Sequence, residues 1–142
     1  MIAFSDSHCH LQMGGDAPAL LTRAREAGVS RFLVPGTTLE DSAAAVELAA
    51  AHPDVRAAVG IHPHEAKDFD PKRDGAALEE LARTPRVVAI GEVGLDFHYD
   101  RSPLPWHVAV LEWMLYLECR LSLPAILQMR EWCIFKISLS ER

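Results

Sequence analysis

Val87-Val88-Ala89-Ile90-Gly91-Glu92-Val93-Gly94-Leu95-Asp96 passes from four consecutive apolar residues into a carboxylate set between two glycines. A short, wholly apolar run is how a strand covered on both faces reads. Polar groups directly after such a run lie where the strand ends. The same pattern recurs upstream. Met1 to Phe4 leads into Ser5-Asp6-Ser7-His8-Cys9-His10, and Val55 to Ile61 leads through Gly60-Ile61 into His62-Pro63-His64. Ser30 to Val34 is a further short strand, closed by Pro35-Gly36, and Leu123 to Leu127 is a fifth.

Helices are expected between these runs. Residues 16–28 carry Leu20, Leu21, Ala24 and Ala27 at helical spacing, with Gly28 in the place of a terminating glycine. Leu39 to Ala51 follows Thr38, has Asp41 in its first turn and is followed by Pro53. Asp74 to Thr84 and Pro105 to Leu121 complete the set. Strands alternating with helices through short connections mean βαβ units and a parallel sheet. A doubly wound sheet and a (β/α) barrel both satisfy that rhythm. The absence of GxGxxG after the first strand removes the main support for a dinucleotide-binding sheet.

All strand C-termini of a parallel β/α fold open on one face. His8, His10, His62, His64 and Glu92 are therefore expected in one crevice. Imidazole and carboxylate donors suit zinc, manganese or iron. On extended chain, the spacing of His8 and His10 turns both imidazoles to one side, with Cys9 opposite as a small buried hydrophobe. Asp6 shares their phase and is expected to orient an imidazole. Asp96 reads equally as a turn or cap residue, and His52, His98 and His107 as structural histidines.

Composition narrows the classes. The 142 residues are 49% hydrophobic and 24% charged, so collagen-like and disordered readings fail. A net charge of −6 argues against a broad basic face for nucleic acid, though a bound metal adds positive charge that residue counting omits. Three cysteines without CxxC spacing argue against a disulfide framework. With no signal-like N-terminus and no apolar run of about 18 residues, the expectation is a cytoplasmic chain without membrane contact. The acidic excess lies within residues 1–105. Trp106, Trp113 and Trp132 all fall in the remainder, and from Trp132 on the composition is atypical.

The segments Asp6-Ser7-His8-Cys9-His10-Leu11, Gly60-Ile61-His62-Pro63-His64 and Ala89-Ile90-Gly91-Glu92-Val93-Gly94-Leu95-Asp96, followed by Tyr99-Asp100-Arg101, resemble the TatD family of metal-dependent hydrolases. These are (β/α)₈ barrels described as deoxyribonucleases. The resemblance implies an α/β fold of the TIM-barrel type, within the metal-dependent hydrolase superfamily. About the first four to five β/α units are expected over residues 1–128, with an atypical tail over 129–142. It implies His8, His10 and Glu92 as metal ligands, with Glu92 bridging two divalent ions (Mg, Mn or Zn) and serving as the catalytic carboxylate. His62 and His64 are implied to face the phosphate of DNA or another phosphodiester.

The sequence also departs from the family pattern. Gln128 stands where the family's fifth strand ends in a metal-binding histidine, with Arg130 in the place of the arginine two residues on. The family's later histidine and aspartate have no counterpart, since a complete barrel takes about 250 residues. The reading therefore expects a truncated or frame-shifted chain, weakly active or inactive, with unpaired strand edges open to self-association. The alternatives are a non-catalytic fragment, or an amide or lactone hydrolase of the same barrel superfamily.

Overall fold

The computed structural model describes residues 3–99 and 101–130. Trp132, Cys133 and the rest of the tail from residue 131, together with Met1, Ile2 and Asp100, lie outside the described residues.

Five strands alternate with four helices: β1 (Phe4–Asp6), α1 (Ala17–Glu26), β2 (Val29–Pro35), α2 (Leu39–Ala51), β3 (Val55–Val59), α3 (Pro71–Ala82), β4 (Val87–Asp96), α4 (Leu104–Leu121) and β5 (Ala125–Arg130). Two 3₁₀ turns, Leu11–Met13 and Pro63–Asp68, follow β1 and β3. The strands form one sheet in the order β1-β2-β3-β4-β5, and every neighbouring pair is parallel. This is the order of a half-barrel. A doubly wound sheet would reverse direction about its first strand, so that alternative falls.

The helix starts follow local chemistry. Asp16, Thr38 and Asp70 each accept a backbone N–H of the first turn of α1, α2 and α3. Pro71 at the first position of α3 starts that helix ahead of the expected Asp74, because a ring-fixed φ and a missing N–H cost nothing there. β4 continues to Asp96 instead of stopping at Ile90, and β5 is shifted to Ala125–Arg130.

The core lies between the sheet and its helices. Val34, Ala57, Val59, Ile90 and Val93 of the strands meet Leu21, Ala45, Leu78, Met114 and Leu117 of the helices, all essentially excluded from solvent. The expectation that every strand is covered on both faces holds for β3 and β4 but fails at the edges. All of β1 is exposed, Phe4 to 56%, and Leu127 of β5 is 54% exposed. An edge strand has one neighbour, so its outer row stays open.

Close approach of β4 and β5 depends on Gly94. It pairs with Gln128, and a Cβ there would collide with the Gln128 carbonyl oxygen. Gly94→Ala is expected to destabilise the chain by about 1–3 kcal/mol, the usual cost of overpacking. At a few °C per kcal/mol, that lowers the melting temperature by roughly 5–10 °C. Gly14, with open space around it, is the control: Gly14→Ala should melt within a degree or two of the parent in circular dichroism. Equal melting of both variants would show that β4 and β5 are not packed this closely.

Candidate metal centre

Glu92 anchors the site. Its backbone N–H donates to the Gly36 carbonyl oxygen at 3.0 Å, tying the middle of β4 to the end of β2. Gly91 before it adopts φ +143°, and a Cβ there would lie 2.6 Å from the Ile126 carbonyl oxygen, so only glycine fits. The Gly91–Glu92 peptide is cis. The Glu92 side chain is 5% exposed. Among the described residues the side chains within ion-pair distance of it are those of histidines alone.

Those histidines come from the segment after β1. The Cys9 N–H donates to the Leu33 carbonyl oxygen at 3.1 Å, and the Cys9 side chain packs against the core. Burial, helped by Asp6, pushes its thiol up to about 12, so it stays a neutral packing group. His8 and His10 flank Cys9 on the opposite side. Their Nε2 atoms lie 3.2 Å apart, and each is 3.5 Å from Glu92 Oε2. The expected orienting role of Asp6 takes another form. Its carboxylate accepts the backbone N–H of His8 at 3.2 Å and so holds the chain segment.

This triangle can be tested as a ligand set. A tetrahedral ion with donors at about 2.0–2.2 Å has donor atoms roughly 3.3–3.5 Å from one another. Edges of 3.2, 3.5 and 3.5 Å match that spacing. A buried carboxyl group beside two imidazoles is also the oxygen and nitrogen donor set that a divalent ion takes. His8, His10 and Glu92 therefore suit a divalent ion. His10 Nδ1 is buried without a hydrogen-bond partner among the described residues.

The second histidine pair stands beside this cluster. The His62 N–H donates to the Thr37 carbonyl oxygen at 2.8 Å, and Ser42 Oγ bonds both the N–H and the carbonyl of Gly60 at 3.2 Å. His62 Nδ1 accepts the His64 N–H at 3.1 Å, which leaves Nε2 as the protonated donor atom. Burial, reinforced by His64, pushes the His62 imidazole down to about 4, so it is neutral at pH 7. His64 Nε2 lies 2.6 Å from Asp96 Oδ2. Burial alone would raise the Asp96 carboxyl. The N–H groups of Tyr99 and His98, together with His64, outweigh burial and hold it at about 2. His64 is thus the donor to an ionised Asp96. With His10, Thr37, Glu65 and Glu92, the two histidines line an open recess of about 280 Å³. A larger recess of about 310 Å³ shares only Glu65 with it and holds none of these imidazoles.

Two features were not legible in the sequence. Asp96, open between turn and cap roles, is the partner of His64, 32 residues away. No spacing rule links them, although one follows β3 and the other ends the adjacent β4. Gln12 carries no sequence signal for its role. Its Nε2 donates to the Pro35 carbonyl at 2.9 Å and to Asp41 at 3.0 Å, anchoring the turn after His10 on the start of α2.

Comparison with known proteins follows the same lines. The family described as TatD related DNase matches residues 5–134. The chain is 41% identical over 121 residues to the 3'-5' ssDNA/RNA exonuclease TatD of Edwardsiella piscicida, covering 84% of this chain and 46% of that protein. It is 36% identical over 135 residues to the uncharacterized metal-dependent hydrolase YjjV of Escherichia coli K12, covering 89% and 51%. The crystal structure of the TatD homologue YjjV from E. coli K12 superposes with TM-score 0.83 at 34% identity, over 90% of this chain and 51% of that one. A TatD family hydrolase from Entamoeba histolytica, at 22% identity and TM-score 0.80 over 91% of this chain and 50% of that one, shares the fold. The chain spans about half the length of the curated relatives it matches. No helix among the described residues is long and apolar enough to cross a membrane.

The neutral His62 sets a pH dependence. The unfolded chain, with its imidazole near 6.5, takes up a proton that the folded site refuses down to about 4. Stability should therefore fall as pH drops through that window, and Asp96 continues the loss from about 4 to 2. Urea midpoints measured from pH 7 to 4.5 should decline less steeply in His62→Gln than in the parent. Parallel profiles would show that His62 is not held neutral by the fold.

Proposed function

The chain belongs to the TatD-related DNase family, and from that premise we propose that it is a metal-dependent hydrolase of nucleic-acid phosphodiesters. The observation that carries this reading is the His8–His10–Glu92 triangle, whose edges match a divalent-ion ligand set, at the strand C-termini. The names of the relatives, an ssDNA/RNA exonuclease and a metal-dependent hydrolase, support the substrate class.

His8, His10 and Glu92 would hold the ion. When bound, a divalent cation supplies Lewis-acid polarisation of a phosphoryl oxygen and activation of water. The remaining chemistry is assigned to the chain's own groups. Glu92, fixed by its backbone bond to Gly36, presents its carboxyl group in a site with little solvent competition. His62, neutral with its proton on Nε2, donates a hydrogen bond toward a phosphate oxygen and adds no charge of its own. Asp96 fixes the His64 ring through its Nε2, leaving Nδ1 as the atom free to act on substrate.

We also propose slow turnover. Gln128 pairs with Gly94, two residues beyond Glu92, and contributes from β5 a neutral amide where the family pattern has imidazole. An amide oxygen is the weaker donor to a transition-type ion, so a second ion binds weakly.

The test combines binding with turnover. Isothermal titration with Mn²⁺ should show a single strong site. Glu92→Gln should weaken that site by more than the 10–100-fold that loss of an outer-sphere partner costs. Cleavage of a labelled single-stranded oligodeoxynucleotide should require Mn²⁺ or Mg²⁺ and be lost in Glu92→Gln and His8→Ala. Unchanged Mn²⁺ affinity in Glu92→Gln would remove the metal centre. Faster turnover of amides or lactones than of the oligonucleotide would place the chain with a different chemistry of the barrel superfamily.

A further inference from the structure

Tyr99 lies just beyond β4, and its backbone N–H donates to Asp96 Oδ1 at 3.1 Å. Its ring is 41% exposed and carries two guanidinium groups. Arg130 Cζ lies 4.8 Å and Arg101 Cζ 5.4 Å from the ring centroid. The His64 ring meets Tyr99 edge-on at 5.6 Å, which joins this group to the recess beside the ligand cluster. Among the described residues neither arginine has a carboxylate within ion-pair distance. Arg25 is paired to Asp54, Arg73 to Asp74, and Arg83 and Arg120 to Glu79, and Tyr116 carries the single guanidinium of Arg120, whereas Tyr99 gathers two.

The register explains the placement. Arg130 is paired with Asp96 across β4 and β5, at the strand ends. The Asp96 charge is already met by His64 and by the N–H groups of His98 and Tyr99. The guanidinium therefore rests on the ring face, where cation–π attraction holds it without neutralising it. In a chain of net charge −6, two guanidiniums gathered on one exposed tyrosine are a local concentration of positive charge. Guanidinium planes suit bidentate contacts to phosphate oxygens. Arg130 pairs with Asp96, four residues along β4 from Glu92, which is about 13 Å of strand at ~3.3 Å per residue.

We propose that Arg101 and Arg130, held on the Tyr99 ring, form a phosphate subsite that takes one strand of nucleic acid beside the ligand cluster. The proposal rests on the phosphodiesterase reading, but its test needs no turnover. Anisotropy of a fluorescein-labelled oligothymidylate is titrated with the 142-residue chain in EDTA. The parent should bind. Arg101→Ala and Arg130→Ala should each weaken binding roughly fivefold and reduce the slope of log K against log salt by about 0.7. Tyr99→Phe should bind like the parent. Tyr99→Leu, which keeps both charges but removes the platform, should weaken binding. Lys72→Ala, an exposed cation on α3, should change little. Inorganic phosphate at matched ionic strength should compete only at millimolar concentration.

Absence of binding by the parent, equal binding by the double arginine variant, or displacement by micromolar phosphate would each overturn the proposal. Circular dichroism of every variant separates loss of the subsite from loss of the fold. Loss of Mn²⁺ binding with oligonucleotide binding intact would count against the hydrolase reading alone.

Discussion

A carboxylate 5% exposed and 3.5 Å from each of two imidazoles is the constraint around which the described fold is arranged. Leaving such a polar group in the sheet without partners is costly, so its surroundings must supply them. The backbone around Glu92 is accordingly over-determined. Gly91 lets the chain pass against Ile126, Gly94 lets β5 lie against it, and Gly36 accepts the Glu92 N–H. The two histidines opposite arrive on a segment pinned to β2 by Cys9 and to β1 by Asp6. Each contact is ordinary, and their joint effect is to leave one position where a divalent ion satisfies all three donors.

The second histidine pair shows how neighbouring groups of one chemistry are kept apart in charge. His62 loses its basicity through burial and the proximity of His64, while His64 sits on an ionised Asp96. One imidazole is a fixed neutral donor and the other a carboxylate-bound ring. The difference arises from the 3₁₀ turn after β3, which puts His62 Nδ1 on the His64 N–H. A looser connection would leave both rings free to rotate and their protons unassigned.

The parallel architecture and most element positions were legible because short apolar runs alternate with capped helical segments, and these signals are local. α2 lies over Leu39–Ala51 as read, since Thr38 and Asp41 mark its start and Pro53 follows its end. The convergence of His8, His10 and Glu92 was legible because a parallel sheet gathers strand ends on one face. The exposed edges were not, because an apolar run says nothing about how many neighbours its strand has. The His64–Asp96 bond, the Gln12–Asp41 anchor and the tyrosine carrying two arginines were also hidden. Each joins residues whose proximity depends on register or loop path, and neither is encoded in periodicity.

A parallel sheet in sequential order lets each strand contribute to the site independently. The segment after β1 supplies two imidazoles, the segment after β3 two more, and β4 the carboxylates. A change at one strand end therefore leaves the groups on the others where they were. Gln128 illustrates this: it stands beside Gly94 in an undisturbed β4–β5 ladder, two residues from Arg130, which closes the same strand over Tyr99. The ladder needs only backbone and a glycine at that pairing, so the side chain can exchange imidazole for amide without a structural penalty. The side chain at that place in β5 is thereby decoupled from the fold. At β4 the two are coupled, since Glu92 lies between the two glycines that set the packing of the sheet.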